Sequence, residues 1–171
     1  MENLEICKSC GGICCKSMGC HYSPDDFKDL SFEGLKQEID KGYISIDWWN
    51  KNPFEDERNI YRAYFLRVRN IDSEIIDPAY RGKCSLLTDV GCLLSYKYRP
   101  KGGRTLIPAL NNNCIVKYDK QDCAKEWYEY NEVLCELVEY YFCKENDKCI
   151  ADKSYMGIFN YLNSIISFNE L

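Results

Sequence analysis

The sequence predicts an α+β fold in which a cysteine-rich metal-binding lobe with short strands packs on a small helical bundle. Apolar residues recur with helical spacing at 122–142 and 154–168, whereas 43–49 and 60–68 have the composition of strands. The length of 171 residues suits a single domain spanning 1–171. We expect a cysteine-rich region at about 7–114 and a helical part at about 119–171.

Two short helices are predicted after the N-terminal cysteines. Ser23–Asp26 combines an N-cap serine, a proline at the first helical position and acidic residues at the positive end of the helix dipole. A second helix begins at Ser31–Gly34, places Leu35 and Ile39 on one face and ends near Gly42.

The strands are predicted in the middle of the chain. Residues 43–49 alternate apolar and polar side chains, and the loop 50–56 with its proline closes this strand. Residues 60–68 are rich in aromatic and β-branched side chains, so we expect them to form an antiparallel pair with 43–49. Residues 84–92 predict a short strand and a turn between two cysteines.

The helical part is predicted to supply the main wall of the core. One broad apolar face runs through residues 122–142, comprising Cys123, Trp127, Tyr130, Leu134, Leu137, Val138 and Tyr141. An amphipathic stretch at 154–168 is expected to pack beside it, with Ile158, Tyr161, Leu162, Ile165 and Ile166 on the apolar side.

Charge and hydropathy exclude several classes of partner. Lysine plus arginine number 22 and aspartate plus glutamate 27, a net charge of −5 without a basic tract, so we expect no nucleic-acid partner. No apolar run reaches the roughly 18 residues of a membrane span, and residues 1–10 lack the features of a signal peptide. We therefore expect a cytoplasmic protein with reduced thiols; a disulfide framework is the alternative if the chain is exported.

The N-terminal cysteines carry the strongest signal. The segment reads Cys7-Lys-Ser-Cys10-Gly-Gly-Ile-Cys14-Cys15, and two thiols separated by two residues can bind one ion on a tight turn. Gly11 and Gly12 supply the φ freedom that such a turn needs. Because adjacent side chains diverge, we expect Cys14 and Cys15 to serve different metals, or one to ligate while the other packs.

This cysteine group resembles the zinc- or iron-chelating domain family named for its CxxCxxCC pattern. The resemblance covers about residues 7–108 and continues through Cys84-Ser-Leu-Leu, Gly91-Cys92, Arg99-Pro100, Arg104 and Pro108. It implies a thiolate metal site. The flagellin lysine-N-methylases are distantly similar in their cysteine-rich part, which implies an iron–sulfur cluster and methyl transfer from S-adenosylmethionine as one use of the domain.

The chain departs from the family pattern at two places. The gap between Cys10 and Cys14 is three residues rather than two, which alters which thiols can share an ion. The family usually has a cysteine between the Arg-Pro pair and the next arginine, where this chain has Gly103. We expect Cys114 to replace that thiol, and Cys20 or Cys123 could do so instead. The candidate metal ligands are therefore Cys7, Cys10, Cys14, Cys15, Cys84, Cys92 and Cys114, whereas Cys135, Cys143 and Cys149 are expected to be structural.

Thiolates suit zinc or iron far better than calcium or magnesium, which prefer oxygen ligands. One zinc ion takes four ligands, so the candidate set leaves room for two ions or for an iron–sulfur cluster with a spare thiol. The cysteine gaps, two residues and then three, reverse the order found in radical S-adenosylmethionine enzymes, and this class is not expected. Arg81, Arg99 and Arg104 are candidates for neutralising the thiolates.

The remaining signals are weaker. His21 is the one histidine, and we interpret it as a surface imidazole, with a nitrogen ligand or proton carrier as the alternative. No G-x-S-x-G motif accompanies it, so serine hydrolysis is not expected. The Gly102-Gly103-Arg104 segment is interpreted as a turn rather than an anion cradle.

Two functions follow from the sequence. The first is a non-catalytic protein that holds a zinc or iron ion. The second is an iron–sulfur protein of methyl-transfer or redox chemistry. The sequence contains no convincing S-adenosylmethionine loop, which favours the first. Beyond the metal ion, a protein partner is conceivable but unidentified.

Overall fold

A computed structural model describes residue 6 and residues 10–78, 82–109 and 114–145. Helices combine with small antiparallel sheets, so the predicted α+β class is confirmed. The helices are α1 (Ile13–Ser17), α2 (Phe32–Glu38), α3 (Lys101–Arg104), α4 (Lys120–Trp127) and α5 (Asn131–Glu145). The strands are β1 (Ile44–Trp49), β2 (Ala63–Val68), β3 (Leu87–Thr88) and β4 (Gly91–Cys92). The helix predicted at 154–168 lies outside the described residues, as do Cys7, Arg81 and Cys149.

The two predicted middle strands form the centre of the fold. β1 pairs with β2 in an antiparallel register that runs from Ile44 opposite Val68 to Trp49 opposite Ala63, which confirms the predicted pair. Every residue of β2 is buried. The polar side chains on one face are buried too, namely Ser45, Asp47 and Arg67.

That buried polar face is neutralised by ion pairs. Arg67 Nε donates to Asp47 Oδ2 at 3.2 Å, and its Nη2 donates to Asp77 Oδ2 at 2.7 Å. Lys120, the first residue of α4, donates from Nζ to Asp47 Oδ1 at 3.0 Å. Since α4 and the chain at Asp77 cover this face, the alternation of 43–49 does not mark a solvent-exposed side.

Extended segments continue the sheet beyond both strands. Along the edge of β2 that does not face β1, Val68 N donates to Cys20 O and Tyr22 N donates to Leu66 O, both at 2.9 Å. Along β1, Ile46 N donates to Ile75 O at 2.7 Å. The chain that follows the N-terminal cysteines is thereby fixed alongside β2.

The predicted core helix is present but interrupted. Asp119 caps α4, and a 3₁₀ turn, Tyr128–Tyr130, separates α4 from α5. At this break Asn131 Oδ1 accepts a hydrogen bond from Tyr64 N of β2. The predicted apolar face is buried, except that Tyr130 is half-buried. Among the described residues, no helix is long and apolar enough to cross a lipid bilayer.

The two N-terminal helix predictions differ in outcome. Ser23 lies at the N-cap as expected, and its N–H donates to Asp26 Oδ2 at 2.9 Å, but the element is a single 3₁₀ turn, Pro24–Asp26. Ser31 caps α2 through the backbone N–H of Gly34, as predicted. α2 runs into a π-helical turn, Ile39–Tyr43, and Leu35 and Ile39 of this helical segment are fully buried.

Candidate metal centre

Cysteines from distant parts of the chain surround a cavity of about 980 Å³. All the predicted ligands in the described part of the chain line it, joined by Cys20, which the sequence offered only as a substitute for Cys114: Cys10, Cys14, Cys15, Cys84, Cys92, Cys114 and Cys20. Cys7 lies outside the described residues. The fold thus brings the N-terminal cysteine group, the second cysteine group and Cys114 to the same cavity.

The N-terminal group is positioned by a glycine turn and a short helix. Gly11 and Gly12 have φ angles of 64° and 70°, the left-handed conformation that the sequence predicted for this turn. α1 follows and carries Cys14 and Cys15. Its backbone is held against the second cysteine group, because Cys84 N donates to Cys15 O at 2.7 Å.

The side chains of Cys14 and Cys15 do not diverge, and the expectation that they do was wrong. Their sulfur atoms lie 4.0 Å apart. Adjacent helical residues are only about 100° apart around the axis, and two short side chains can span that angle. Four thiolates at about 2.3 Å around a tetrahedral zinc ion would have sulfur atoms about 3.8 Å apart, so the observed separation suits two ligands of one ion.

The second cysteine group is carried by a small hairpin, as predicted. β3 and β4 pair with Leu87 opposite Cys92, and Thr88 Oγ1 donates to Gly91 O at 2.7 Å to close the turn. Cys84 precedes the hairpin and packs with Val68, Leu86 and Leu87 in a small apolar cluster. Against this cluster lie four partly buried residues of the cavity, Cys15, Cys20, Cys92 and Leu94.

Hydrogen bonds between thiols order their acidities. Contact with the Cys15 thiol, followed by burial, raises the pKa of Cys14 well above its ordinary value. The same contact lowers the pKa of Cys15, but contact with the Cys84 thiol, together with burial, raises it to about 11. Contact with Cys15 lowers the pKa of Cys84. Among these three thiols, Cys84 is the one whose pKa is lowered.

Thiolates in this cluster require a compensating cation. Burial, followed by the charges of Cys15 and Cys92, raises the pKa of Cys20 to about 12. As the side chains stand, no three Cys, His, Asp or Glu residues of the described segments are arranged to hold a metal ion. The thiol groups nevertheless fit a soft or borderline metal, because several converge on one cavity and some already touch in pairs.

The arginines predicted to neutralise the thiolates have other partners. Arg104 Nη2 donates to Asp26 Oδ1 at 2.7 Å, and Arg104 also donates to the backbone oxygen of Arg99. Arg99 lines the cavity and donates from Nε to Leu94 O at 3.3 Å. Arg81 lies outside the described residues. The predicted neutralising role was wrong for Arg104, whose guanidinium is bound to a carboxylate, and stays a prediction for Arg99.

His21 is buried, so its interpretation as a surface imidazole was wrong. Its side chain packs edge-on against Phe65, with ring centroids 5.5 Å apart. Burial, reinforced by the charges of Lys120 and Arg67, lowers its pKa to about 4. Its Nε2 has no hydrogen-bond partner among the described residues.

Two cysteines of the helical part lie away from the cavity. Cys123, which the sequence offered as a substitute for Cys114, is fully buried and donates to Tyr22 O at 3.1 Å, outside the cavity lining. Cys135 is half-buried in α5 and accepts from Asn131 Nδ2 at 3.7 Å. Neither thiol therefore belongs to the group that surrounds the cavity.

Gly102 and Gly103 lie beside Cys20. Lys101–Arg104 forms the one-turn helix α3, in which Gly102 N donates to His21 O at 3.0 Å and Gly103 N donates to Pro100 O at 2.8 Å. These amides are paired within the protein, so the segment is no anion cradle. The juxtaposition of Cys20 with α3 joins residues more than 80 positions apart, and the spacing of cysteines along the chain does not indicate it.

Comparisons with protein-family models, curated proteins and solved structures find no match to this chain. The resemblance to the zinc- or iron-chelating family accordingly stays a prediction.

Proposed function

We propose that this protein binds a zinc or iron ion through clustered cysteine thiolates. The observation that carries the proposal is the convergence of α1, the β3–β4 hairpin and Cys114 on one cavity. The proposed ligands are drawn from Cys7, Cys10, Cys14, Cys15, Cys84, Cys92 and Cys114. The proposal includes membership in the zinc- or iron-chelating family and a reducing, cytoplasmic location that keeps these thiols free.

Burial of apolar thiols alone is a poor explanation of this arrangement. A free cysteine in a core behaves as a small apolar side chain and packs against its neighbours without a void. Here the thiols border a cavity of about 980 Å³, and Cys14 is exposed. A divalent cation would also favour the thiolate state that burial and mutual repulsion now oppose.

The metal would act as a folding partner. Cys15 and Cys84 are far apart in sequence and are held together by one backbone hydrogen bond and one thiol contact. A metal bound by both would link α1 to the β3–β4 hairpin directly. Since a preformed site does not exist in the unfolded chain, its binding free energy would appear as folding free energy.

The cavity supports a second candidate function, an iron–sulfur protein that acts in S-adenosylmethionine-dependent protein methylation or in redox chemistry. Its volume lies at the upper end of the roughly 300–1,000 Å³ that small-molecule sites occupy, and one metal ion needs far less room. The distant similarity to flagellin lysine-N-methylase motivates this candidate. In that case the same thiolates would hold the cluster.

Metal and acid-labile sulfide analysis distinguishes the two candidates. The protein is purified anaerobically from cells grown with both iron and zinc, and its absorption spectrum is recorded. Zinc or iron without sulfide supports the ion site, whereas iron with an equivalent amount of sulfide supports the cluster. Protein that stays free of both metals, also after reconstitution under reducing conditions, contradicts both.

A further inference from the structure

We propose that Cys20 is a further ligand of this metal site. The inference rests on the proposed function and names a residue that the fold, rather than the cysteine spacing, brings to the cavity.

The backbone on both sides of Cys20 is held firmly. Its carbonyl oxygen accepts from Val68 N at 2.9 Å, and Gly19 N donates to Asn70 Oδ1 at 2.9 Å. A Cβ atom at position 19 would lie 2.1 Å from Val68 O, so only glycine permits this close approach. The backbone position of Cys20 is consequently set before any metal binds.

The direction of the thiol follows from the extended backbone. Successive side chains of such a segment point to opposite faces. His21 packs on Phe65, on the face of the buried ion pairs. Cys20 takes the other direction and packs with the cluster that contains Cys84 and Cys92. Cys20 thus packs with the proposed ligands, whereas the ring of His21 packs on Phe65.

The Cys20 thiol occupies space that is available because residue 103 has no side chain. A Cβ atom built on Gly103 would lie 3.2 Å from Cys20 Sγ, which is closer than ordinary van der Waals contact. Side chains at positions 20 and 103 would therefore reach the same place from opposite sides. The φ angle of Gly103 is not in the left-handed region, so another residue can adopt this backbone conformation.

Coordination by Cys20 would release its proton to solvent as the sulfur–metal bond forms. Thiolates would then be supplied from three places around the cavity: α1, the extended segment 19–22 beside β2, and the β3–β4 hairpin.

The test exchanges the thiol between positions 20 and 103. Zinc affinity is measured by chelator competition, and the number of sulfur ligands by X-ray absorption on zinc-loaded protein. Loss of an orienting residue around a metal ligand already costs roughly 10–100-fold in affinity, so we expect Cys20→Ala to cost about 100-fold or more and one sulfur ligand. Cys20→Ala/Gly103→Cys should recover most of the affinity and the missing sulfur.

Two controls isolate the thiol. Cys20→Ala/Gly103→Ala differs from the rescued protein by one sulfur atom and should stay as weak as Cys20→Ala. Cys135→Ala removes a similarly half-buried cysteine outside the cavity and should bind zinc like the wild type. Both double variants contain Cys20→Ala and differ only at position 103. Their comparison therefore tests metal ligation by the thiol even if Cys20→Ala lowers stability.

The two possible failures are distinguishable. Wild-type zinc affinity and sulfur number in Cys20→Ala, or equal affinities of the two double variants, overturn the role of Cys20 and leave the proposed site intact. A wild-type protein that binds neither zinc nor iron overturns the proposed function itself.

Discussion

Replacing Gly19 by alanine should separate the extended segment 19–22, which lies beside β2, from that strand. The added Cβ atom would lie 2.1 Å from Val68 O, against about 3.4 Å for an ordinary contact. The backbone must therefore move by about 1.3 Å, the difference between these distances. Val68 O belongs to β2, which is buried along its whole length. We therefore expect segment 19–22, rather than β2, to move.

The cost follows from the hydrogen bonds that this movement stretches. The bonds from Val68 N to Cys20 O and from Gly19 N to Asn70 Oδ1 are both 2.9 Å long, and a shift of this size breaks them. Each is worth about 0.5–1.5 kcal/mol net, and a buried donor left unpaired costs more. We expect Gly19→Ala to lower the free energy of unfolding by about 2–4 kcal/mol, or the Tm by roughly 4–16 °C.

Urea denaturation of metal-free protein measures this loss, and Gly42→Ala is the matched control. Gly42 has a φ angle of 86° and nothing within 4 Å of an added Cβ, so its replacement costs only the left-handed conformation, about 1–2 kcal/mol. A Gly19→Ala protein as stable as the wild type, or more stable than Gly42→Ala, would refute the close-approach argument.

Three further predictions concern buried charge, the metal site and pH. Arg67→Met removes the guanidinium partner of Asp77 and leaves the fully buried Asp47 with Lys120 as its cationic partner, which should cost roughly 3–5 kcal/mol in urea denaturation. Cys10→Ser should lower both the metal content and the Tm of the metal-loaded protein, whereas Cys143→Ser should leave the metal content unchanged. His21 binds its proton only below about pH 4 when folded and near pH 6.5 when unfolded. The unfolded state therefore holds more protons in that window, and the stability of metal-free protein should fall by up to roughly 3 kcal/mol from pH 6.5 to pH 4. His21→Phe should flatten this slope.

Each of these predictions has a contrary result. If Arg67→Met is as stable as the wild type, the ion pairs of Arg67 do not contribute to stability. Unchanged metal content and Tm in Cys10→Ser remove that cysteine from the shared site. An unchanged slope between pH 6.5 and pH 4 in His21→Phe assigns the pH dependence to other groups.

The sequence by itself determined the local elements and the kind of chemistry. The segment beginning with Ser31 located the start of α2, helical spacing located the α4–α5 region, and composition located β1 and β2, because these signals depend on near neighbours. The glycine turn before α1 followed from the sequence for the same reason. Soft thiol groups also favoured zinc or iron over calcium or magnesium, a property of sulfur that no fold alters.

Tertiary structure decided which side chains meet. Cys15 lies against Cys84, Cys20 lies opposite Gly103, and Arg104 pairs with Asp26 instead of a thiolate. The burial of His21 likewise depends on Phe65 and on the charged residues around it. Each of these contacts joins residues more than 40 positions apart. Such contacts depend on how sheet and helices pack, and the spacing of residues along the chain does not specify them.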